Sequence, residues 1–289
     1  MEQVSIAVIG GSGLYNMTEI SDKVSYEVDT PYGKPSSEIV VGNLRGKRVA
    51  FLPRHGLGHV YTPSTVPYRA NIYALKSMGV RFIIAVNACG SLREDYAPGD
   101  IVIPTQLYDH TKLDRGRTFF DTGLVAHISV ADPLCPELCE HLHLAAQKVA
   151  DTVTHHGGTL IVIEGPRFST RGESEIYREW GCSVIGMTTC PEAFLAREAE
   201  IAFATMAHVT DYDVWHISEE TVTAELVLQT FNRNLQAAQQ AIAIAVETLD
   251  ESAVYPCHTA LDGAIVTHSD KVPTELRTRL QPILGRVLG

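Results

Sequence analysis

Ile201-Ala-Phe-Ala-Thr-Met-Ala-His-Val-Thr-Asp-Tyr-Asp-Val-Trp215 is the stretch on which the reading of the fold turns. Its apolar run over 201–207 has the length and composition of a strand buried on both faces, the kind found in α/β proteins whose sheet carries helices on each side. The strand would deliver two carboxylates, Asp211 and Asp213, to its C-terminal edge. If the backbone stays extended through Tyr212, both side chains point to the same side. Open α/β sheets hold their ligands at such edges. Two neighbouring carboxylates also oppose each other's ionisation, so one can keep a proton near neutrality. Taken alone, the same residues read more readily as a solvated acidic loop after a strand.

Working outward, strand and helix patterns alternate. Apolar runs at Val4–Ile9, Ser37–Val41, Val49–Leu52, Phe82–Val86, Asp100–Ile103, Thr159–Ile163 and Ser183–Ile185 predict short strands. The second and third are separated by a turn, Gly42-Asn-Leu-Arg-Gly46, and Phe82–Val86 is followed by a turn over Asn87–Ser91. Helical spacing appears over Pro67–Met78, Pro136–Thr152, Gly172–Trp180, Glu192–Ala199 and Thr221–Leu249. Tyr108 to Thr122 reads as irregular and polar. The pattern predicts α/β: a single domain with a central mixed, largely parallel twisted sheet flanked by helices. Residues 1–250 form the domain, and 251–289 form an extension packed on it, with a final helix over Thr274–Leu288 kinked near Pro282.

Composition narrows the function. The chain has 45% hydrophobic and 20% charged residues, ordinary for a globular protein. Its formal charge of −11, from 23 basic and 34 acidic residues, disfavours nucleic acid and anionic membrane surfaces as partners. No apolar run is long enough to span a membrane, and the N-terminus lacks the pattern of a signal peptide. The six cysteines form no C-x-x-C pair and several lie in apolar runs, which suits reduced thiols in the cytoplasm and disfavours zinc at Cys135 and Cys139.

Several predicted strand ends carry polar groups. Gly10-Gly-Ser-Gly13 follows the first strand; its amides and the Ser12 hydroxyl can approach an oxyanion, although the dinucleotide-binding spacing is missing. Arg54-His55-Gly56 follows another, with His59 close behind, and a guanidinium there suits phosphate. Asn87-Ala88-Cys89-Gly90 offers small residues against which a ligand can lie. Ile185-Gly-Met187-Thr188 offers a hydroxyl for an anion and a methionine to pack under a sugar or base. Each has a plain structural alternative, as a turn, a surface loop or core. Together they describe a pocket with an anion site at one end and carboxylates at the other. The absence of a G-x-x-x-x-G-K-[ST] loop argues against a nucleoside triphosphatase, and that of G-x-S-x-G against an α/β-hydrolase.

These motifs, with Asn71-Ile-Tyr-Ala-Leu-Lys76, Cys89-Gly-Ser-Leu-Arg-Glu94, Pro98-Gly-Asp-Ile-Val102, Glu164-Gly-Pro-Arg-Phe-Ser169, Pro191-Glu192 and Thr210-Asp-Tyr-Asp-Val-Trp215, occur in one order from residue 4 to about 249. In this the chain resembles the trimeric purine nucleoside phosphorylase family, and within it the branch that cleaves S-methyl-5′-thioadenosine. The resemblance implies phosphorolysis to adenine and 5-methylthioribose 1-phosphate, with phosphate as co-substrate, no cofactor, no metal, and a homotrimer or a dimer of trimers. It implies that Ser12, Arg54, His55, Asn87, Ala88 and Thr188 hold phosphate. Met187 would meet the ribose, with Cys89, Gly90 and His59 beside the nucleoside, and Phe168 would stack on the adenine. Asp211 would give a proton to N7 and Asp213 would accept from the 6-amino group. Ala224, Val227 and Leu228 would line the methylthio end, and His127 would come from a neighbouring subunit. Asn87 departs from the threonine that the resemblance leads one to expect in the animal enzyme, which puts a hydroxyl contact to phosphate in question.

Three rivals are distinguishable. A 6-oxopurine phosphorylase would carry an amide-type partner at the base. A nucleosidase would use water and have no need of the Arg54-His55 pair. A non-catalytic nucleoside-binding module would have little use for an acid at N7.

Overall fold

A computed structural model of the chain describes residues 1–11, 17–216 and 223–288, excepting the side chains of 226, 228, 229 and 231–234. Its strands are β1 (Ile6–Gly10), β2 (Ser21–Tyr26), β3 (Ile39–Leu44), β4 (Lys47–Pro53), β5 (Phe82–Ser91), β6 (Ile101–Ile103), β7 (Gln106–His110), β8 (Thr154–His156), β9 (Thr159–Ile163), β10 (Val184–Gly186) and β11 (Ala202–Asp211). The helices are α1 (Tyr68–Ser77), α2 (Pro136–Ala146), α3 (Arg171–Glu179), α4 (Thr189–Glu198), α5 (Ala224–Thr248), α6 (Thr274–Arg279) and α7 (Gln281–Leu288).

All the strands join one mixed sheet. Its centre is parallel: β4 pairs with β1, β1 with β5, and β5 with β11. Antiparallel pairings attach β3 to β4, β2 to β3, and β6 to β11. β1 and β11 are buried at every position, as expected of strands covered on both faces. The apolar residues of β1, and those of β11 as far as Met206, form one core with Ile72 and Leu75 of α1, Leu138 and Leu142 of α2, Leu195 of α4, and Ile242 and Val246 of α5. The single-domain α/β reading of the sequence therefore holds.

Differences from the sequence reading have physical causes. β5 does not stop at Val86 but runs to Ser91, because it finds ladder partners on both sides. β11 pairs with it from Ala202↔Phe82 to Asp211↔Gly90, and β10 pairs antiparallel through Ile185↔Gly90 and Val184↔Ser91. Asn87–Gly90 is thus strand, not the turn that its polar and small residues suggest. Likewise β3 and β4 extend to Leu44 and Lys47, leaving only Arg45-Gly46 between them. β2 is exposed along nearly its whole length and shows no apolar alternation. The stretch expected to be irregular from Tyr108 begins inside β7, which pairs with β9. α2 ends six residues earlier than its apolar period, at Ala146.

Residues 251–288 lie on the same core, where Leu261, Leu276, Leu280, Ile283 and Leu284 are buried. Arg81 donates to the carbonyls of Glu251 and Ala253, and Arg286 pairs with Glu200 and Asp262. The predicted terminal helix is divided into α6 and α7 at Leu280, ahead of Pro282.

Candidate active site

The C-terminal halves of β5 and β11 form the wall of a cavity of about 280 Å³. Its lining joins Arg54, His55 and His59, Asn87–Gly90 on β5, Phe168 and Ser169, Ile185–Thr188 at the end of β10, Thr210, Asp211 and Asp213, and Val227 of α5. Gly11, Pro63, Val86 and Ile163 complete it. The ends of six strands, β1, β4, β5, β9, β10 and β11, thus converge on one space, as expected at the C-terminal edge of a largely parallel sheet.

At one end lies the cationic group. Arg54 follows β4, and its amide donates to the Gly10 carbonyl of β1, 2.9 Å away. The guanidinium is 2% exposed and forms a two-pronged pair with Glu192 of α4: Nε to Oε2 and Nη2 to Oε1, both 2.7 Å. Nη1 donates to the Val86 carbonyl at 3.1 Å. A buried charge needs such a partner. The sequence reading assigned Glu192 no role, yet a glutamate in an otherwise apolar helix face was the available signal. His55 is half-buried; its Nδ1 lies 2.9 Å from the Tyr61 carbonyl, so Nδ1 carries the hydrogen and Nε2 is free to accept. Burial, with the Arg54 charge, pushes its pKa down to about 4. His59 stacks on it, ring centroids 4.2 Å apart.

Asn87 is committed to the protein. Its Nδ2 donates to Thr189 Oγ1 at 2.7 Å and Thr205 Oγ1 at 2.9 Å, and Thr188 Oγ1 donates to its Oδ1 at 3.4 Å. The carboxamide therefore knits β5 to α4 and β11, while Ala88 beside it faces the cavity.

At the other end are the two acids. A bulge between Val209 and Asp211 re-aims the end of β11. Asp213 then adopts a left-handed backbone, φ 51°, which corrects the expectation of extended geometry through Tyr212. The turn is closed by the Asp213 amide donating to Asp211 Oδ1 at 2.8 Å. Asparagine and aspartate tolerate this conformation better than most residues, because their side chains bond locally. Both acids still face one space, packed around Gly90: a Cβ there would lie 3.0 Å from Asp211 Oδ1 and 3.2 Å from Asp213 Cβ.

The two carboxyls differ. Thr210 Oγ1 lies 2.7 Å from Asp211 Oδ2 and 3.3 Å from the Cys89 carbonyl. A hydroxyl has one proton, so when it serves the carbonyl, a protonated Oδ2 supplies the other bond. Burial raises the Asp211 pKa above the ordinary aspartate value, against the pull of Thr210 and the Asp213 amide. Asp213 Oδ2 is buried and has no hydrogen-bond partner among the described residues. Burial, reinforced by the neighbouring Asp211, raises its pKa to about 6, with the Ser174 hydroxyl pulling the other way. Desolvated acids in a cleft mark a functional site.

Phe168 and Met187 are half-buried on facing loops. A capping box at the start of α3, Thr170 Oγ1 from the Glu173 amide and Glu173 Oε2 from the Thr170 amide, fixes the exit of the Phe168 loop. Cys89 is buried beneath Gly186, where a Cβ would meet its Sγ at 3.2 Å.

Other expected residues do not join this space. His127 is exposed beside the tail, where Ala126 bridges Ile265, and is absent from the lining. Ala224 is exposed at the start of α5 and absent too. Ser12 and the Leu228 side chain lie outside the described residues.

A model of the phosphorylase superfamily matches residues 5–247, and the chain belongs to that superfamily. An S-methyl-5′-thioadenosine phosphorylase of Chloroflexus aurantiacus is 54% identical over 286 residues, covering 99% of each chain. One of Geobacter sulfurreducens is 51% identical, with the same coverage. Among solved structures, a methylthioadenosine phosphorylase from an antarctic soil metagenomic library matches with a TM-score of 0.93 and 50% identity, over 98% of this chain and all of its own. A doubly substituted adenosine/methylthioadenosine phosphorylase of Schistosoma mansoni in complex with adenine matches with a TM-score of 0.83 and 36% identity, over 92% of this chain and all of its own. Within the superfamily the chain belongs with the S-methyl-5′-thioadenosine phosphorylases.

Proposed function

We propose that the protein cleaves S-methyl-5′-thioadenosine with phosphate, giving adenine and 5-methylthioribose 1-phosphate. The observation that carries this is the two-ended cavity: two desolvated carboxyls at one end of a β-strand wall, and Arg54, His55 and Thr188 at the other. Breaking the N-glycosidic bond builds positive charge on the ribose and negative charge on the purine. Phosphate, held by Arg54, Thr188, Ser12 and the backbone at Ala88, stabilises the first and attacks the anomeric carbon. Neutral His55 offers Nε2 to the hydroxyl of hydrogen phosphate. Asn87 contributes by placing Thr188 rather than by touching the anion, and the long 3.4 Å bond to its Oδ1 yields when the single Thr188 hydroxyl proton turns to phosphate.

Asp211, in its protonated form, gives the proton to purine N7, a step worth roughly 10²–10⁴-fold. Asp213 accepts from the 6-amino group through Oδ2, a buried oxygen with no other hydrogen-bond partner among the described residues. A 6-oxopurine would set acceptor against acceptor there. Phe168 stacks on the base, Met187 packs under the ribose, and Val227 with Leu228 closes the methylthio end.

No cofactor takes part in this scheme. We read the assembly as a homotrimer in which His127 reaches a neighbour's site; the exposed Val125 and Val266 beside it support an interface there. Residues 251–289 are then an extension of the 1–250 domain. Six buried free cysteines fit a reducing cytoplasm, and no helix among the described residues is long and apolar enough to cross a membrane.

The test is turnover of methylthioadenosine with and without phosphate, assaying adenine and the sugar phosphate, with adenosine and inosine run alongside. Adenine release that needs no phosphate would point to hydrolysis, and absence of any turnover would leave only binding. Adenosine belongs in the assay because the Schistosoma relative is named for both substrates.

A further inference from the structure

Arg115 lies in the stretch read from sequence as irregular and polar, yet its side chain is fully buried. It is absent from the cavity lining. Its guanidinium spends its donors chiefly on two loops that do line the cavity, with one longer contact, 3.4 Å, from Nη2 to Ser64 Oγ. Nη1 donates to the carbonyls of Met187, at 2.7 Å, and Cys190, at 3.2 Å. Nη2 donates to the Glu164 carbonyl at 2.6 Å and to Glu164 Oε1 at 3.0 Å, and Nε reaches the same oxygen at 3.2 Å.

Glu164 returns the hold. Its Oε2 accepts from the amides of Lys112 and Leu113, at 2.6 and 3.0 Å, just before Arg115. Its Oε1 also accepts from Ser64, next to the cavity residue Pro63. The two loops touch directly: a Cβ on Gly165 would lie 2.5 Å from Met187 Sδ. One planar fork thus fixes the separation between the turn bearing Met187 and Thr188 and the loop bearing Phe168.

We propose that Arg115 is a positioning residue for the phosphorolysis, clamping the base-stacking loop to the ribose- and phosphate-facing turn through Glu164. The inference rests on the site assignments proposed above for Phe168, Met187 and Thr188. Lysine cannot replace arginine here, since a point charge with three donors cannot serve a planar set of acceptors on two loops. A misplacement of about 1 Å at a reacting centre can cost roughly 100-fold in rate.

The experiment compares Arg115→Lys with wild type by thermal melting and by separate KM values for methylthioadenosine and phosphate, with kcat per folded enzyme. A positioning role raises both KM values in the folded variant, by roughly 10-fold or more for the nucleoside, although Arg115 touches neither ligand. A merely structural role lowers the melting temperature and leaves both KM values within about twofold, which would overturn the proposal. If Arg115→Lys does not fold, Glu164→Gln carries the test, since it keeps the shape and weakens the clamp. A rise in both KM values supports the proposal, and unchanged values overturn it. Phe168→Ala is the control. Its failure to raise the nucleoside KM in an active enzyme would sink the site reading, and this inference with it. A raised KM in Phe168→Ala beside an unchanged one in Arg115→Lys would sink the inference alone.

Discussion

Replacing Glu192 by glutamine asks what holds the Arg54 charge. In the wild type the pair is almost wholly buried, 2% and 1% exposed, with two bonds of 2.7 Å. Glutamine keeps the shape but turns an amide nitrogen toward one guanidinium N–H and leaves the cation without a counter-charge. Breaking a buried pair from one side costs roughly 3–5 kcal/mol, a fall in Tm on the order of 10 °C for a domain of this size. If Arg54 belongs to the anion site, phosphate becomes its counterion in the variant. Every 1.4 kcal/mol that phosphate restores corresponds to about tenfold tighter binding. The expected result is a variant that is markedly less stable in phosphate-free buffer and recovers more stability than wild type as phosphate is added. Chemical denaturation at a series of phosphate concentrations gives both numbers, with sulfate-free buffer as baseline. If phosphate stabilises Glu192→Gln no more than wild type, Arg54 is a structural cation and its place in the phosphate site is wrong.

Three further outcomes follow from the acids. Asp211→Asn should lower kcat by roughly 10²–10⁴-fold while leaving phosphate binding nearly unchanged; equal losses in both would refute its acid role. Asp213→Asn should shift the ratio of adenine-type to inosine-type kcat/KM by roughly tenfold or more toward inosine. In wild type that ratio should climb as pH rises through about 6, where Asp213 ionises and becomes an obligate acceptor, and the climb should vanish in the variant. Glu198 concerns stability alone. Its carboxylate accepts from Thr118 Oγ1 and the Phe119 amide, and burial raises its pKa to about 7 from an ordinary 4.5 despite those bonds. A raised pKa favours the fold fully below the ordinary value, and that contribution is lost as pH rises through 7. Between pH 5 and 8, wild type should therefore lose roughly 2–3 kcal/mol relative to Glu198→Gln; parallel stability curves would refute this.

The sequence made the buried elements legible because their patterns are strong. β1, β9 and β11 announce themselves as apolar runs, and α1 and α5 by period. What escaped it depends on partners distant in the chain. β5 runs on past Val86 only because β10 and β11 flank it, and no local signal marks Asn87–Gly90 as strand. β2 lies exposed at the sheet's edge, with backbone pairing as its reason for being extended. The motif at 210–215 placed both acids at the cavity, yet the left-handed turn at Asp213 comes from a local hydrogen bond that an extended reading cannot anticipate. Glu192 stood out only as a charge in an apolar helix face and Arg115 not at all, because each acts through a partner more than 45 positions away. His127 and Ala224 came from resemblance alone, and this chain does not gather them into its own cavity.

The double pairing of β5 has a consequence for how the substrate range of this protein can change. A strand advances about 3.3 Å per residue, so Asn87 and Gly90 mark off a fixed span of about 10 Å between the phosphate end and the base end. Held on both sides, this ruler can neither stretch nor slide. A ligand whose phosphate-facing and base-facing groups are spaced differently fits this wall less well, whichever side chains line it. New substrates must therefore be won at the ends, in the Phe168 and Met187 loops and at the head of α5, while the measure between them stays constant.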